Sequence, residues 1–150
     1  MTVAVIVREN ILITEELQAQ LTKVLTNLVV NEWATTFLFA DVSNFDKACY
    51  EIVSQLKTIF VDMQRVFVGE YKRSEYNKDW VLANYERAIL PENEAVSFEA
   101  RDQAMVDRCD VLVTCCDIFR ELNSKWKTNT AMAVAYAWKK KKRIINVFDM

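Results

Sequence analysis

The chain has 150 residues, 52% of them hydrophobic and 27% charged, and a formal net charge of −2. That is the composition of a folded protein long enough to bury a core without staples, so disorder is excluded as the default. The slight negative charge gives no global field toward nucleic acid or anionic lipid, and no apolar run approaches the ~20 residues that span a bilayer. Histidine is absent. Zinc sites with imidazole ligands, Ser-His-Asp catalysis and Cys-His catalysis are therefore excluded.

Thr2–Val7 (TVAVIV) is apolar and β-branched and predicts a first strand, broken by Arg8-Glu9-Asn10. Its start has neither the basic residues nor the cleavage site of a signal peptide, so a cytoplasmic protein is expected. From Thr14, a candidate N-cap, Leu17, Leu21, Val24, Leu25 and Leu28 recur at helical spacing. Glu15 and Glu16 stand in the first turn, where the dipole favours them. Ala34–Ala40 predicts the second strand. A polar turn follows, and a helix from Phe45 to Lys57 carries Ala48, Cys49, Ile52, Val53 and Leu56 on one face. Gln64–Glu70 predicts the third strand.

Tyr71–Ala88 is the least regular stretch, rich in aromatic and charged residues. Such interleaving suits stacking on single-stranded nucleic acid. Its acidic members favour a partly helical excursion whose rings pack on the sheet or on another subunit. Ser97–Arg108 predicts a helix with Ser97 as N-cap. Val111–Cys116, apolar on both faces, predicts the central strand of a parallel sheet. Ile118–Lys127 reads as a loop or short helix, and Thr130–Lys139 as a helix of small residues. A basic run, Lys139–Arg143, leads into a last strand, Arg143–Phe148. The lysines suit the C-terminal end of a helix dipole better than a nucleic-acid contact.

Strands alternating with helices predict an α/β fold: three layers, Rossmann-like, with a mostly parallel sheet of about five strands and helices on both faces. One domain over residues 1–150 is expected. Cys49, Cys109, Cys115 and Cys116 form no C-x-x-C pair and read as buried free thiols of a reducing compartment. Gly69 is the sole glycine, so any phosphate site is built from side chains and helix N-termini instead of a glycine loop.

Four strings, in order, resemble the SLOG superfamily, the Rossmann-like group that includes DprA-like proteins and the LOG phosphoribohydrolases. The first runs from Phe37-Leu38-Phe39-Ala40 to Asn44-Phe45-Asp46-Lys47-Ala48. It is similar to the family's strand, turn and F-D-x-x-A helix start. Arg65-Val66-Phe67-Val68 resembles its third strand, and Arg101–Asp110 its R-N-x-x-M-V-D-x-x-D segment. Thr128-Asn129-Thr130 through Ala137, with Lys142–Asn146, resembles its last turn, helix and strand. The small YpsA-like branch is the nearest in pattern. The three glycine turns of the family are replaced here by Ile6-Val7-Arg8, Ala40–Asn44 and Lys127–Thr130. The LOG motif P-G-G-x-G-T and its following glutamate are missing.

The resemblance implies a crevice at the C-terminal ends of the strands, lined by Arg8, Asn10, Asp41, Ser43, Asn44, Asp46, Arg101, Asp107, Lys127, Thr128, Asn129 and Thr130. Arg8 and Lys127 would neutralise phosphate, and Arg101 would make a bidentate contact. Thr128–Thr130 would offer hydroxyls and helix amides, and Asp41 or Asp46 would accept from ribose. The residue types alone also fit N-caps at Ser43, Asn44, Thr128 and Asn129, and an Asp107–Arg108 pair.

The expected function is non-catalytic binding of a nucleotide or nucleotide-derived signal, with no metal, no cofactor and no catalytic residue assigned. One alternative is a weak N-glycoside or phosphoester hydrolase using Asp41, Asp46 or Asp107. A degenerate structural module is another, and DNA binding ranks last. A homo-oligomer, a dimer, is expected from the many aromatics on a small chain, with no membrane partner.

Overall fold

Short apolar strands are stable when both of their faces are covered. The computed structural model describes residues 1–40, 43–70, 77–90, 98–125 and 127–150. Six strands form one sheet: β1 (Thr2–Val5), β2 (Thr36–Phe39), β3 (Gln64–Val68), β4 (Arg87–Ile89), β5 (Val111–Thr114) and β6 (Arg143–Asn146). Their order is β4-β3-β2-β1-β5-β6, and every pairing is parallel. The Rossmann-like three-layer fold is therefore present, with six strands instead of about five.

Pleating divides β1 and the two residues after it between two cores. Val3, Val5 and Val7 join one, and Ala4 and Ile6 join the other. The first core is covered by α1 (Glu15–Glu32), α2 (Asn44–Lys57) and α3 (Lys78–Asn84), through Leu21, Leu25, Leu28, Phe45, Val53 and Val81. The second is covered by α4 (Phe98–Arg108) and α6 (Asn129–Lys139), through Met105, Val106, Ala131, Val134 and Ala137. Each fully buried large side chain contributes roughly 1.5–3 kcal/mol. The small residues of α6 let it lie close on the sheet.

Local chemistry sets the helix starts. The hydroxyl of Thr14 accepts from Leu17 N–H at 3.1 Å. Ser43 accepts from Asp46 N–H at 3.2 Å, and Thr128 from Ala131 N–H at 3.1 Å. α1 ends on Trp33 in the left-handed region, at φ 62°. A five-residue helix, α5 (Ile118–Leu122), is capped by Asp117, and a 3-10 turn, Val147–Asp149, follows β6.

Two expectations change. β5 is interior but not the middle of the sheet, because β6 alone lies beyond it while β1 and β2 occupy the centre. The extra strand β4 overlaps the end of the irregular stretch. It is three residues long, starts on Arg87 and sits at the edge, so it carries no buried alternating pattern. Where described, the aromatics of that stretch pack on the sheet. The Tyr85 ring lies 5.1 Å from that of Tyr50, 5.6 Å from Phe67 and 6.1 Å from Trp80. Tyr71–Tyr76 and the expected cap Ser97 lie outside the described residues. The four cysteines are free. No helix among the described residues is long and apolar enough to cross a membrane.

Candidate functional site

The strand order reverses at β1, whose neighbours are β2 on one side and β5 on the other. In open α/β sheets a crevice forms outside the C-terminal ends of the strands at that point. Two polar regions meet there, one on each side of the chain leaving β1.

Arg8 follows the pleat toward α4. Its Nε donates to Asp102 Oδ1 at 2.8 Å and its Nη2 to the same oxygen at 2.5 Å, while Nη1 donates to Asp46 Oδ2 at 3.1 Å. The side chains are 2% exposed for Arg8, 0% for Asp46 and 4% for Asp102. Arg101 Nε stands 3.8 Å from Asp102 Oδ1. Burial, and then the neighbouring Arg8, push the Arg101 guanidinium down to about 10, against the pull of Asp102 and Asp46. It still carries its charge at neutral pH. Among the described residues, two cations and two anions thus face one another in a largely buried cluster, referred to below as the plug. Arg8 is spent on carboxylates of its own chain, in the place where a phosphate-neutralising arginine was expected.

Asn10 and Asn44 fasten the loop above the plug. Asn44 N–H donates to Asn10 Oδ1 at 3.2 Å, Ile11 N–H donates to Asn44 Oδ1 at 3.1 Å, and the Asn44 amide donates to Ile11 O. These two residues hold the chain between β1 and α1 against the N-terminus of α2.

Glu9 follows the opposite parity, toward α1, into a hollow of about 410 Å³. Its walls come from Ile11, Leu12, Leu17 and Gln20 on one side and from Cys115, Cys116 and Asp117 after β5 on another. Glu121, Thr128 and Thr130 close a third side, and Val147, Phe148 and Met150 a fourth. Thr130 links hollow to plug: its hydroxyl accepts from Arg8 N–H at 2.8 Å and donates to Glu9 Oε2. Glu121 Oε2 accepts from Thr128 N–H at 3.1 Å. The Asn146 amide bridges the backbone of Cys116 in both directions, at 3.0 and 2.7 Å, and holds the end of β5 to β6.

The electrostatics of the hollow are one-sided. Glu9, Glu16, Asp117 and Glu121 line it, and among the described residues its lining includes no lysine or arginine. Burial, followed by Glu121 and Glu9, pushes the Cys116 thiol up to about 11. No group of three or more His, Cys, Asp or Glu among the described residues is arranged to hold a metal ion.

Of the twelve residues singled out from the sequence, Arg8, Ser43, Asp46 and Arg101 gather at the plug, and Asn10 and Asn44 in the loop bonds beside it. Thr128 and Thr130 line the hollow. Lys127 and Asn129 flank them and are exposed. Asp107 lies in the last turn of α4, at the end where the strands begin, and accepts from the Tyr136 hydroxyl at 2.7 Å. Asp41 lies outside the described residues. Sequence reasoning did not single out Glu9, Asp102, Asp117 and Glu121. The usable signal was position: Glu9 directly follows Arg8, and Asp117 closes the apolar run of β5.

No family model matches the chain, and no curated protein matches it. Among solved structures it is similar to TM1055, a structural-genomics target, with a TM-score of 0.59 at 12% identity over 95% of this chain and 71% of that one. It is also similar to DNA processing protein A (DprA) from Streptococcus pneumoniae, with a TM-score of 0.61 at 14% identity. That match covers 95% of this chain and 48% of the other, so the chain spans about half of that protein's length. At such identities the likeness establishes a common Rossmann-like fold.

Proposed function

We propose that this chain is a non-catalytic binding protein for a nucleotide-derived small molecule, which it senses or sequesters in the hollow beside β1. The observation that carries the reading is a hollow of about 410 Å³ at the point where the strand order reverses. That size lies in the range of small-molecule sites, and that place is where the fold binds ligands. The SLOG resemblance and its YpsA-like branch belong to the same proposal, and the DprA-like fold agrees with them at the level of architecture. The carboxylates sharpen the ligand class. Hydroxyls and amino groups donate to Glu9, Asp117 and Glu121, whereas a phosphate is repelled. The nucleoside end of the ligand therefore enters, against Leu12, Leu17 and Phe148, and any phosphate stays outside. The hydrolase alternative has less support: Asp46 is paired with Arg8, Asp107 stands at the far end of the sheet, and Asp41 lies outside the described residues.

Isothermal titration with adenosine, AMP, ADP-ribose and NAD tests this. Adenosine is expected to bind on the order of tenfold more tightly than AMP at low salt, the gap narrowing as salt screens the carboxylates. Glu9→Gln with Glu121→Gln is expected to shrink that preference. Absence of binding by all four compounds, or AMP binding more tightly than adenosine to the parent chain, overturns the proposal.

A further inference from the structure

The hollow and the plug occupy the end of the sheet where the strands finish. At the other end, where the strands begin, large apolar side chains stand in water. Trp33, between α1 and β2, is 80% exposed, and Ile59 and Val61, between α2 and β3, are 74% and 68% exposed. Phe60 is exposed beside them. Single apolar residues on a surface are ordinary, but these four stand at the starts of two neighbouring strands and form a patch. The segment after α2 is held in place. Ile59 N–H and Phe60 N–H donate to Leu56 O at 3.0 and 2.9 Å, and Met63 N–H donates to Phe60 O at 3.1 Å. Lys57 Nζ donates to Val61 O and Met63 O at 2.8 and 2.6 Å. Backbone groups paired in this way lose little on leaving water, which is the condition for entering an apolar phase.

The same end is basic. α6 finishes on Lys139, and Lys140, Lys141 and Lys142 follow before β6 begins at Arg143. Lys139, Lys140 and Lys141 are exposed. Arg143 pairs with Glu32 in the last turn of α1, which sets the lysine run beside Trp33. With Arg108 at the end of α4, these lysines outnumber Asp62, Asp107 and Asp110 at this end. Backbone conformation singles out two of the residues. Among the described residues, the non-glycine positions with positive φ are Trp33, at 62°, and Lys141, at 58°. Each follows a helix in the left-handed region, where glycine or asparagine is the usual occupant. An indole and an ammonium thus stand where local stability favours glycine.

The net charge of −2 averages over two unlike ends. α6 has 11 residues and spans about 16 Å. The acidic hollow lies at its N-terminal end and the lysines at its C-terminal end. That separation exceeds the screening length of about 8 Å at physiological salt. A surface that meets the lysines is therefore shielded from the carboxylates.

We propose that the end of the molecule where the strands begin docks on an anionic lipid bilayer. Trp33, Ile59, Phe60 and Val61 enter the headgroup boundary, and the lysines at 139–142 meet anionic headgroups. An indole suits that layer, because its ring is apolar while its N–H stays wet. An apolar insertion combined with a basic run gives reversible attachment without a spanning helix. Lipids rearrange to meet apolar and basic groups that lie several strands apart. Docked in this way, the hollow faces solution, and the attachment stands or falls separately from its ligand.

Flotation of the full chain with phosphatidylcholine vesicles, with and without phosphatidylserine, tests this. Binding is expected to require phosphatidylserine and to fall as salt rises. Lys141→Gly is expected to weaken it about fivefold, the worth of one lysine near such a surface, and Trp33→Gly at least as much. Both substitutions suit left-handed backbone, so urea unfolding is expected to show neither variant less stable than the parent, and lost binding is then not lost folding. Phe119→Ser, which removes an exposed ring at the opposite end, is expected to leave binding unchanged. No binding to the phosphatidylserine vesicles, binding indifferent to phosphatidylserine, or binding untouched by both glycine substitutions overturns the proposal. Self-association that Trp33→Gly removes, in place of vesicle binding, assigns this end to a protein contact and overturns it as well.

Discussion

The two sides of the chain leaving β1 hold similar numbers of charged groups and use them in opposite ways. In the plug, Arg8 and Arg101 face Asp46 and Asp102, opposite charges stand together, and the side chains are largely buried. In the hollow, Glu9, Glu16, Asp117 and Glu121 share one sign around open space. Charge cancelled inside the protein contributes to holding three elements in register, but it offers a ligand nothing. Charge left at one sign around a space tolerates its own repulsion because water screens it, and a complementary ligand can replace that water. The place where the resemblance put a phosphate-cradling turn thus holds ion pairs among the described residues, and the hollow lies on the other face of the same strand.

The largest test of that contrast is in the plug. Asp102→Ala removes the carboxylate oxygen to which the buried Arg8 guanidinium donates twice. A destabilisation of about 3–5 kcal/mol is expected from urea unfolding, because breaking a buried pair leaves an uncompensated charge. Replacing Arg8, Arg101, Asp46 and Asp102 together by apolar residues of similar size removes the orphan as well, and is expected to recover most of that loss. A mild effect of Asp102→Ala alone would mean that water reaches the plug and that the two regions differ less than their geometry indicates.

Much of this fold was legible in the sequence. The caps Thr14 and Ser43 and the periodic leucines of α1 place the starts of their helices to within a residue, because capping and amphipathic spacing are local properties. β4 was not legible. An edge strand of three residues beginning on Arg87 has its pairing with β3 but no sequence pattern of its own. The site divides along the same line. Residue types at strand ends pointed to Arg8, Asn44, Asp46, Thr128 and Thr130, all of which lie near the end of β1. Which of them share a space depends on strand order and on pleat parity. Arg8 and Glu9 are adjacent in the chain yet turn to opposite faces, and only knowledge that β5 lies beside β1 brings Asp117 and Glu121 toward Glu9. Asp107 shows the converse: a family-like string carried it into the site, while one further helical pitch put it at the wrong end of α4.

A smaller effect reads the field of the hollow directly. Cys109 and Cys116 are both pushed up to about 11, mainly by burial, but their next influences differ in sign. Lys142 pulls Cys109 down, whereas Glu121 and Glu9 push Cys116 further up. Site-resolved alkylation with iodoacetamide against pH is expected to show both thiols inert near neutrality. Glu9→Gln with Glu121→Gln is expected to shift the Cys116 profile to lower pH and leave Cys109 in place. The same thiols set the alkaline limb of stability. Their folded values lie above the usual value near 9, so between about 9 and 11 the unfolded chain has lost protons that the folded chain keeps. Their contribution is complete below 9 and is lost as pH rises toward 11. A urea midpoint that rises over this range would contradict it.

The smallest expected change is the one that separates a site from a scaffold most cleanly. Glu121→Gln keeps an oxygen to accept from Thr128 N–H and removes one of several like charges around the hollow. Stability is expected to stay within about 1 kcal/mol of the parent, on the favourable side, because a partly exposed carboxylate held among its own kind gives up repulsion when neutralised. The comparison with Asp102→Ala is then between two single acidic residues about the end of one strand, one costly to remove and one nearly free. That outcome would mark Glu121 as a group the fold does not need, which is what the proposed site requires of a ligand-facing residue. If urea unfolding shows Glu121→Gln to be as damaging as Asp102→Ala, the hollow is held together by its carboxylates in the way the plug is, and its claim to be a binding site loses its main physical support.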